Sequence, residues 1–118
     1  MRIENEAPVD TAPVMPVSVD AMAPAEIGPG VWVRELPGTG AIRPWVVDIA
    51  PGAEWPELDV HAGYGEAYFV VEGEVIEGER RYGPGTYVFF EPGSSHRPRS
   101  ERGARVFGFN FDAPETDA

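Results

Sequence analysis

The chain carries two histidines, His61 and His96, and each stands in a setting suited to metal ligation. The first lies in Asp59-Val-His61-Ala-Gly-Tyr-Gly-Glu66, and the second follows Glu91-Pro92-Gly93-Ser-Ser. Neutral imidazoles and ionised carboxylates together suit Fe(II), Mn, Ni or Zn, and such a set leaves positions open for water or substrate. On a strand, residues i and i+2 project to the same side, so Asp59 and His61 are expected to point together. Gly63 and Gly65 are expected to reverse the chain with positive φ, letting the next strand pair back and set Glu66 beside His61. His96, from a later strand, completes the candidate metal set Asp59, His61, Glu66 and His96, of which His61, Glu66 and His96 would suffice. Asp59 has an alternative role as an acceptor that orients a ligand imidazole. Glu57 shares its face and could replace it, act as a general base, or simply be exposed. Because the imidazoles must be neutral to bind metal, affinity is expected to fall as the pH drops through about 6.

These side chains need a framework that brings separate strands together. Fourteen Gly and 13 Pro in 118 residues argue for short strands joined by turns rather than long helices. Strands are predicted over 31–36, 42–50, 66–71, 74–82, 86–90 and 105–111, with further short ones carrying Asp59–His61 and His96. Arg43, Trp45, Val47 and Ile49 share one face of the second. About eight short strands with regular turns imply an all-β antiparallel barrel or jelly roll. Residues 1–27, rich in Ala, Pro and acidic side chains, read as an extended or flexible N-terminal arm. Residues 28–111 read as the folded domain and 112–118 as a solvated tail. Tyr68, two residues beyond Glu66, is expected to line the pocket with its hydroxyl aimed at a substrate. Trp55 is a candidate for the pocket mouth. Arg97, Arg99, Arg102 and Arg105 read as a solvated rim, with Arg43 or Arg97 as a candidate guide for anions.

Composition narrows the classes. All nine basic residues are Arg, and 20 acidic residues set the formal charge at −11. That balance argues against a nucleic-acid partner and against anionic membranes. Without cysteine there is no thiolate metal site and no disulfide. No apolar run reaches the roughly 18 residues that span a bilayer, and no secretory signal is read at the N-terminus. A cytoplasmic protein is expected.

The two histidine-bearing stretches resemble the paired motifs of the cupin superfamily. In the first cupin motif a Gly precedes His-x-His, then three or four residues lead to Glu and six more to Gly. His61 falls on the second His, Glu66 on the Glu and Gly73 on the closing Gly. In the second motif Gly85, Gly93 and His96 keep the expected spacing. The stretch is similar to small single-domain cupins of two kinds, the module of zinc-binding anti-sigma factors and the acetylacetone-cleaving dioxygenase type. The departures are Asp59 at the first His, Glu91 at the motif Pro, Ser100 at the usual Asn, and Gly52 one residue further out. A carboxylate in place of an imidazole hardens the site and favours Fe(II) or Mn over Zn or Cu.

The resemblance implies a cupin jelly-roll barrel, a bound divalent metal (Fe(II) favoured; Zn, Mn or Ni possible), and a small-molecule substrate. It further implies dioxygenase-like cleavage of a dicarbonyl or hydroxyaryl ketone, or metal-assisted isomerase, lyase or cyclase chemistry. Glu66 and Tyr68 are the candidate catalytic residues. The alternatives are a sensing or regulatory module and a degenerate scaffold. A homodimer formed through sheet edges is expected.

Overall fold

Residues 13–114 are described by a computed structural model. Residues 1–12 of the expected arm and 115–118 of the expected tail lie outside them. After a 3-10 turn at Val19–Ala21, the described residues form ten strands. These are β1 (Ala25–Gly28), β2 (Val31–Glu35), β3 (Ile42–Ile49), β4 (Asp59–Val60) and β5 (Tyr64–Gly73), then β6 (Val75–Glu77), β7 (Arg80–Tyr82), β8 (Tyr87–Phe90), β9 (Ser95–His96) and β10 (Ala104–Asp112).

Six of them form one antiparallel sheet in the order β1-β2-β3-β10-β5-β8. Its longest members are rich in the β-branched and aromatic residues that fit a half-buried pleated surface. The other wall consists of two small pairs, β4-β9 and β6-β7. Backbone bridges from Arg99 to Glu54 and to Ile76 tie this wall together.

The inward side chains Val31, Val47, Ile49, Val70, Val75 and Val106 make a buried cluster between the walls. Each such side chain contributes about 1.5–3 kcal/mol through burial. Gly108 on β10 is needed there, because a Cβ at that point would collide with the Ala67 carbonyl oxygen, the Trp45 ring and Tyr68.

Several expectations change. The strand predicted over 74–82 is a hairpin, since Gly78 takes φ 62° and reverses the chain between β6 and β7. At the end of the range expected to form the arm, Ala25 and Glu26 pair with Val33 and Trp32. The last strand does not stop at 111; Asp112 still pairs with Tyr64. Gly63 has the expected positive φ of 80°, but Gly65 does not. Gly65 is small for another reason: a Cβ there would run into the Phe111 ring. After this turn β5 does not pair back on β4; it pairs with β10 and β8, while β4 pairs with β9. The chain therefore crosses from one wall to the other between His61 and Tyr64.

Candidate metal centre

Register explains the site. In the β4-β9 pair Asp59 lies directly opposite His96. Pairing continues past the strand ends, with the His61 amide donating to the Ser94 carbonyl at 2.9 Å and the Gly93 amide donating to the His61 carbonyl at 2.7 Å. Asp59 and His61, two residues apart, thus share a side with the facing His96. Glu66 arrives from β5 on the opposite wall. One donor atom from each of Asp59, His61, Glu66 and His96 lies within 4.8 Å of all the others.

Asp59 Oδ2 is 3.1 Å from Nε2 of both His61 and His96. Glu66 places Oε1 3.5 Å from His61 Nε2 and Oε2 3.0 Å from His96 Nε2. The far ring nitrogens are held from outside. Nδ1 of His61 is 2.9 Å from Ser94 Oγ, and Nδ1 of His96 is 2.9 Å from Glu77 Oε2. A carboxylate only accepts, so His96 Nδ1 is the donor to Glu77. Its Nε2 then confronts two carboxylates either as an N–H or as a lone pair. As a lone pair it is repelled unless a cation lies between. That is the arrangement of a ligand imidazole steadied by an outer carboxylate, and the donor set fits a divalent ion.

Electrostatics agree. Burial disfavours charge on His96, but hydrogen bonds to Asp59, Glu66 and Glu77 overcome it and push its pKa up to about 11. With no other cation at the site, His96 therefore holds its second proton across the neutral range. Three carboxylates surround this ring and favour its charged form. Conversely, the hydrogen bond from His96 holds the Asp59 carboxyl below its ordinary range, against the opposing effect of burial.

Phe90 lies beneath both imidazoles, with centroid separations of 4.2 Å to His96 and 5.6 Å to His61. Glu66 is steadied by Asn110, whose Nδ2 donates to Oε1 at 3.3 Å while its Oδ1 accepts from Trp45 Nε1 at 2.6 Å. Tyr68 lies beside these groups and lines the cavity, as expected from its spacing. Its hydroxyl is not directed at open space, however; it donates to Glu77 Oε2 at 2.7 Å. Burial, followed by the nearby Glu77 charge, raises the Tyr68 pKa far above the ordinary phenol range.

The cluster sits beside a cavity of about 770 Å³. Asp59, Glu66 and His96 reach its wall, whereas His61 is wholly buried behind them. The remaining wall is mostly apolar, including Val33, Trp45, Val47, Ile49 and Val106, with Trp55 also contributing. Arg43 lines it too, but pairs with Asp112 at 2.9 Å. Arg97 is spent on the Trp55 and Pro56 carbonyls. Glu57 and Glu91 are exposed and outside the cluster. Ser100, at the usual Asn position, is buried and donates to the Glu74 carbonyl at 2.6 Å, so it serves the fold.

Glu77, Asn110, Ser94 and Phe90 were not singled out in the sequence. Two signals were nevertheless present. Asn110 falls on the inward register of Val106 and Gly108, between Phe109 and Phe111, and Glu77 falls on that of the buried Val75.

A family model described as the ChrR cupin-like domain matches residues 14–112. The chain belongs to that family. Cupin structures superpose well on this member. One is a predicted oxalate decarboxylase from Thermotoga maritima, with TM-score 0.73 and 18% identity over 84% of this chain and 100% of that one. An RmlC-like cupin from Shewanella frigidimarina gives TM-score 0.71 and 20% identity over 84% and 91%. ChrR, solved as the anti-sigma factor in complex with SigE of Rhodobacter sphaeroides, gives 0.68 and 22% over 78% of this chain and 51% of that one. At these identities the likeness carries the fold alone, an all-β cupin jelly roll. Among curated proteins none matches the chain.

Proposed function

We propose that this cupin holds one divalent metal ion through Asp59, His61, Glu66 and His96 and acts as an enzyme on a small, largely apolar molecule presenting oxygen atoms. The convergence of both Nε2 atoms on two carboxylates, with each Nδ1 held from outside, carries this reading. When bound, the ion would supply a Lewis acid for enol, carbonyl or carboxylate oxygens, and as Fe(II) it would extend this to dioxygenase-like cleavage of a dicarbonyl or hydroxyaryl ketone.

Two carboxylates among the four donors favour Fe(II) or Mn over Ni or Zn, and the resemblance to dioxygenase-type cupins favours Fe(II). The protein's own part is positioning. Glu77 fixes the His96 ring, Asn110 fixes Glu66, and the valine, isoleucine and tryptophan wall excludes water from bound substrate. Glu66 is the group placed to take up a substrate proton. Tyr68 walls the site beside it as a neutral phenol. Isomerase, lyase or cyclase chemistry would use the same residues. A cytoplasmic location and a homodimer belong to the same reading.

Elemental analysis of protein expressed without added metal tests the core of it, with about one ion per chain expected. Anaerobic loading with Fe(II), followed by oxygen uptake with β-diketones and hydroxyaryl ketones, tests the reaction. A chain that retains no divalent ion and gains no thermal stability from any would defeat the reading.

Family membership favours a second function, a regulatory cupin that senses a metal or ligand without catalysis, since ChrR is an anti-sigma factor. Capture of a sigma factor by the metal-loaded chain, with no turnover of any ketone, would support it.

A further inference from the structure

Trp45 stands between the candidate metal centre and the apolar wall of the cavity, and the register puts it there. On β3 it lies opposite Gly108 of β10, and Gly108 lies opposite Tyr68 of β5. Gly108 has no side chain to fill this inward row, so the indole leans over it. Its Cη2 lies 2.6 Å from the point that a Cβ on Gly108 would occupy. Its Nε1–H donates to Asn110 Oδ1 at 2.6 Å, and the Asn110 amide donates on to Glu66 at 3.3 Å. Neighbouring strands lie about 4.7–4.9 Å apart, so the ring reaches across β10 toward the strand that carries Glu66.

Both fixings fall on one long edge of the indole, the edge that runs from Nε1 to Cη2. Trp45 is only partly buried, and it lines the cavity. What it presents there is ring face and the opposite edge. Trp55 and Pro98 line the same cavity from the other wall. A wall of valines alone accepts any apolar group of the right size. An indole discriminates, because offset stacking adds to area burial for a flat conjugated ring and adds nothing for a saturated one. Gly108 and Asn110 already fix this indole, so little side-chain freedom is lost when a ring stacks on it.

We propose that Trp45 determines specificity: its indole is a platform for the planar, conjugated part of the substrate, so the site takes aryl ketones and aryl diketones ahead of aliphatic ones of equal size. This deepens the proposed function and rests on it for the oxygen-bearing end of the molecule. The platform itself needs only the cavity. Position also sets the substrate's proportions. Asn110 is the one residue that links the indole to Glu66. The chelating oxygens and the flat ring must therefore be adjacent, as in a carbonyl attached directly to an aromatic ring. A long flexible chain between them would carry the ring past the indole.

The test compares benzoylacetone with hexahydrobenzoylacetone by isothermal titration into the zinc-loaded and the metal-free chain. The second probe keeps the diketone, and its saturated ring is at least as apolar, so burial alone gives benzoylacetone no advantage. Benzoylacetone is expected to bind about 3–10-fold tighter, the advantage of one aromatic pair. Trp45→Phe keeps a π face and Trp45→Leu does not, while both lose the hydrogen bond to Asn110. The preference is expected to persist in the first and to vanish in the second. A chain that takes up no zinc defeats the metal reading, and the metal-free titration then decides the platform by itself.

If neither variant folds, nuclear Overhauser contacts in the wild-type chain give a second readout. They are expected between the ring protons of benzoylacetone and the indole protons of Trp45. Benzoylacetone binding no tighter than its saturated counterpart, or no binding of either probe, overturns the proposal. So does a preference that survives Trp45→Leu or is lost in Trp45→Phe, and so does the absence of those contacts.

Discussion

Along β5, Glu66, Tyr68 and Val70 turn into the barrel while Ala67, Phe69 and Val71 turn out of it. The same strand therefore builds two surfaces with opposite physics. Inside, the polar groups are desolvated, and no buried side-chain nitrogen or oxygen lacks a partner among the described residues. Each must be held, because an unpaired buried polar group costs about 1–3 kcal/mol. Holding them is also what aims them: Glu77 sets His96, Ser94 sets His61 and Asn110 sets Glu66. On the outer face, Phe69, Tyr87, Phe89 and Phe107 are about half exposed among the described residues. The inner polar groups are fully partnered, whereas the outer rings keep part of their surface in water.

Removing an inner ligand should have the largest effect. His61→Ala or His96→Ala is expected to abolish stoichiometric metal retention, seen by elemental analysis, without altering the solution mass. Metal loss accompanied by a change in solution mass would show that the two faces are coupled. Glu77→Gln comes next. It removes the negative charge that holds the His96 ring and should weaken metal affinity about 10–100-fold in a competition titration. Unchanged affinity would mean that Asp59 and Glu66 orient the ring without help.

The faces should also separate by pH. Protonated His96 has a folded pKa of about 11 against an ordinary 6.5. In chelator-treated protein its contribution to stability is therefore complete below about 6.5 and is lost as the pH rises toward 11. Metal binding displaces that proton, so affinity should climb over the same window.

Asp48, on the outer face, behaves in the opposite sense. Burial works against its charge, but Arg105 and Arg34 hold its pKa below 3.8, so its contribution is present above that value and lost as the pH falls through the folded value. Melting temperature against pH should accordingly fall at both ends for the metal-free chain. Asp48→Asn should flatten the acid limb alone.

The smallest contrast concerns two glycines. Gly108→Ala meets backbone and the Trp45 ring on the inner side and should cost about 1–3 kcal/mol in denaturant unfolding. Gly65→Ala meets only the end of the Phe111 ring, which can swing away, so it should cost less and disturb the Phe89 stack. Equal costs would indicate that the outer aromatics are as tightly fixed as the core.

The two motif stretches were sufficient to group Asp59, His61, Glu66 and His96, because turn glycines and period-two alternation are local properties. The strand pairing departs from the local pattern at one point. Pairing of β5 back on β4 was the simplest use of the Gly63 turn, yet β4 instead completes the opposite wall with β9, some 35 residues later. Nothing local marks Glu77, because its partners, Tyr68 and His96, are 9 and 19 residues away in sequence. Nothing local marks the direction of the Tyr68 hydroxyl, for the same reason.

What the sequence determined by itself was the strand-and-turn grammar, the inward register of each long strand, and the residue types able to ligate a cation. Those follow from φ restrictions at Gly and Pro and from the two-residue period of a pleated chain. Only the tertiary structure decided which carboxylates face His96 and which strands pair across the two walls. Both depend on strands distant in sequence meeting at a fixed register, and charge interactions and burial act through space rather than along the chain.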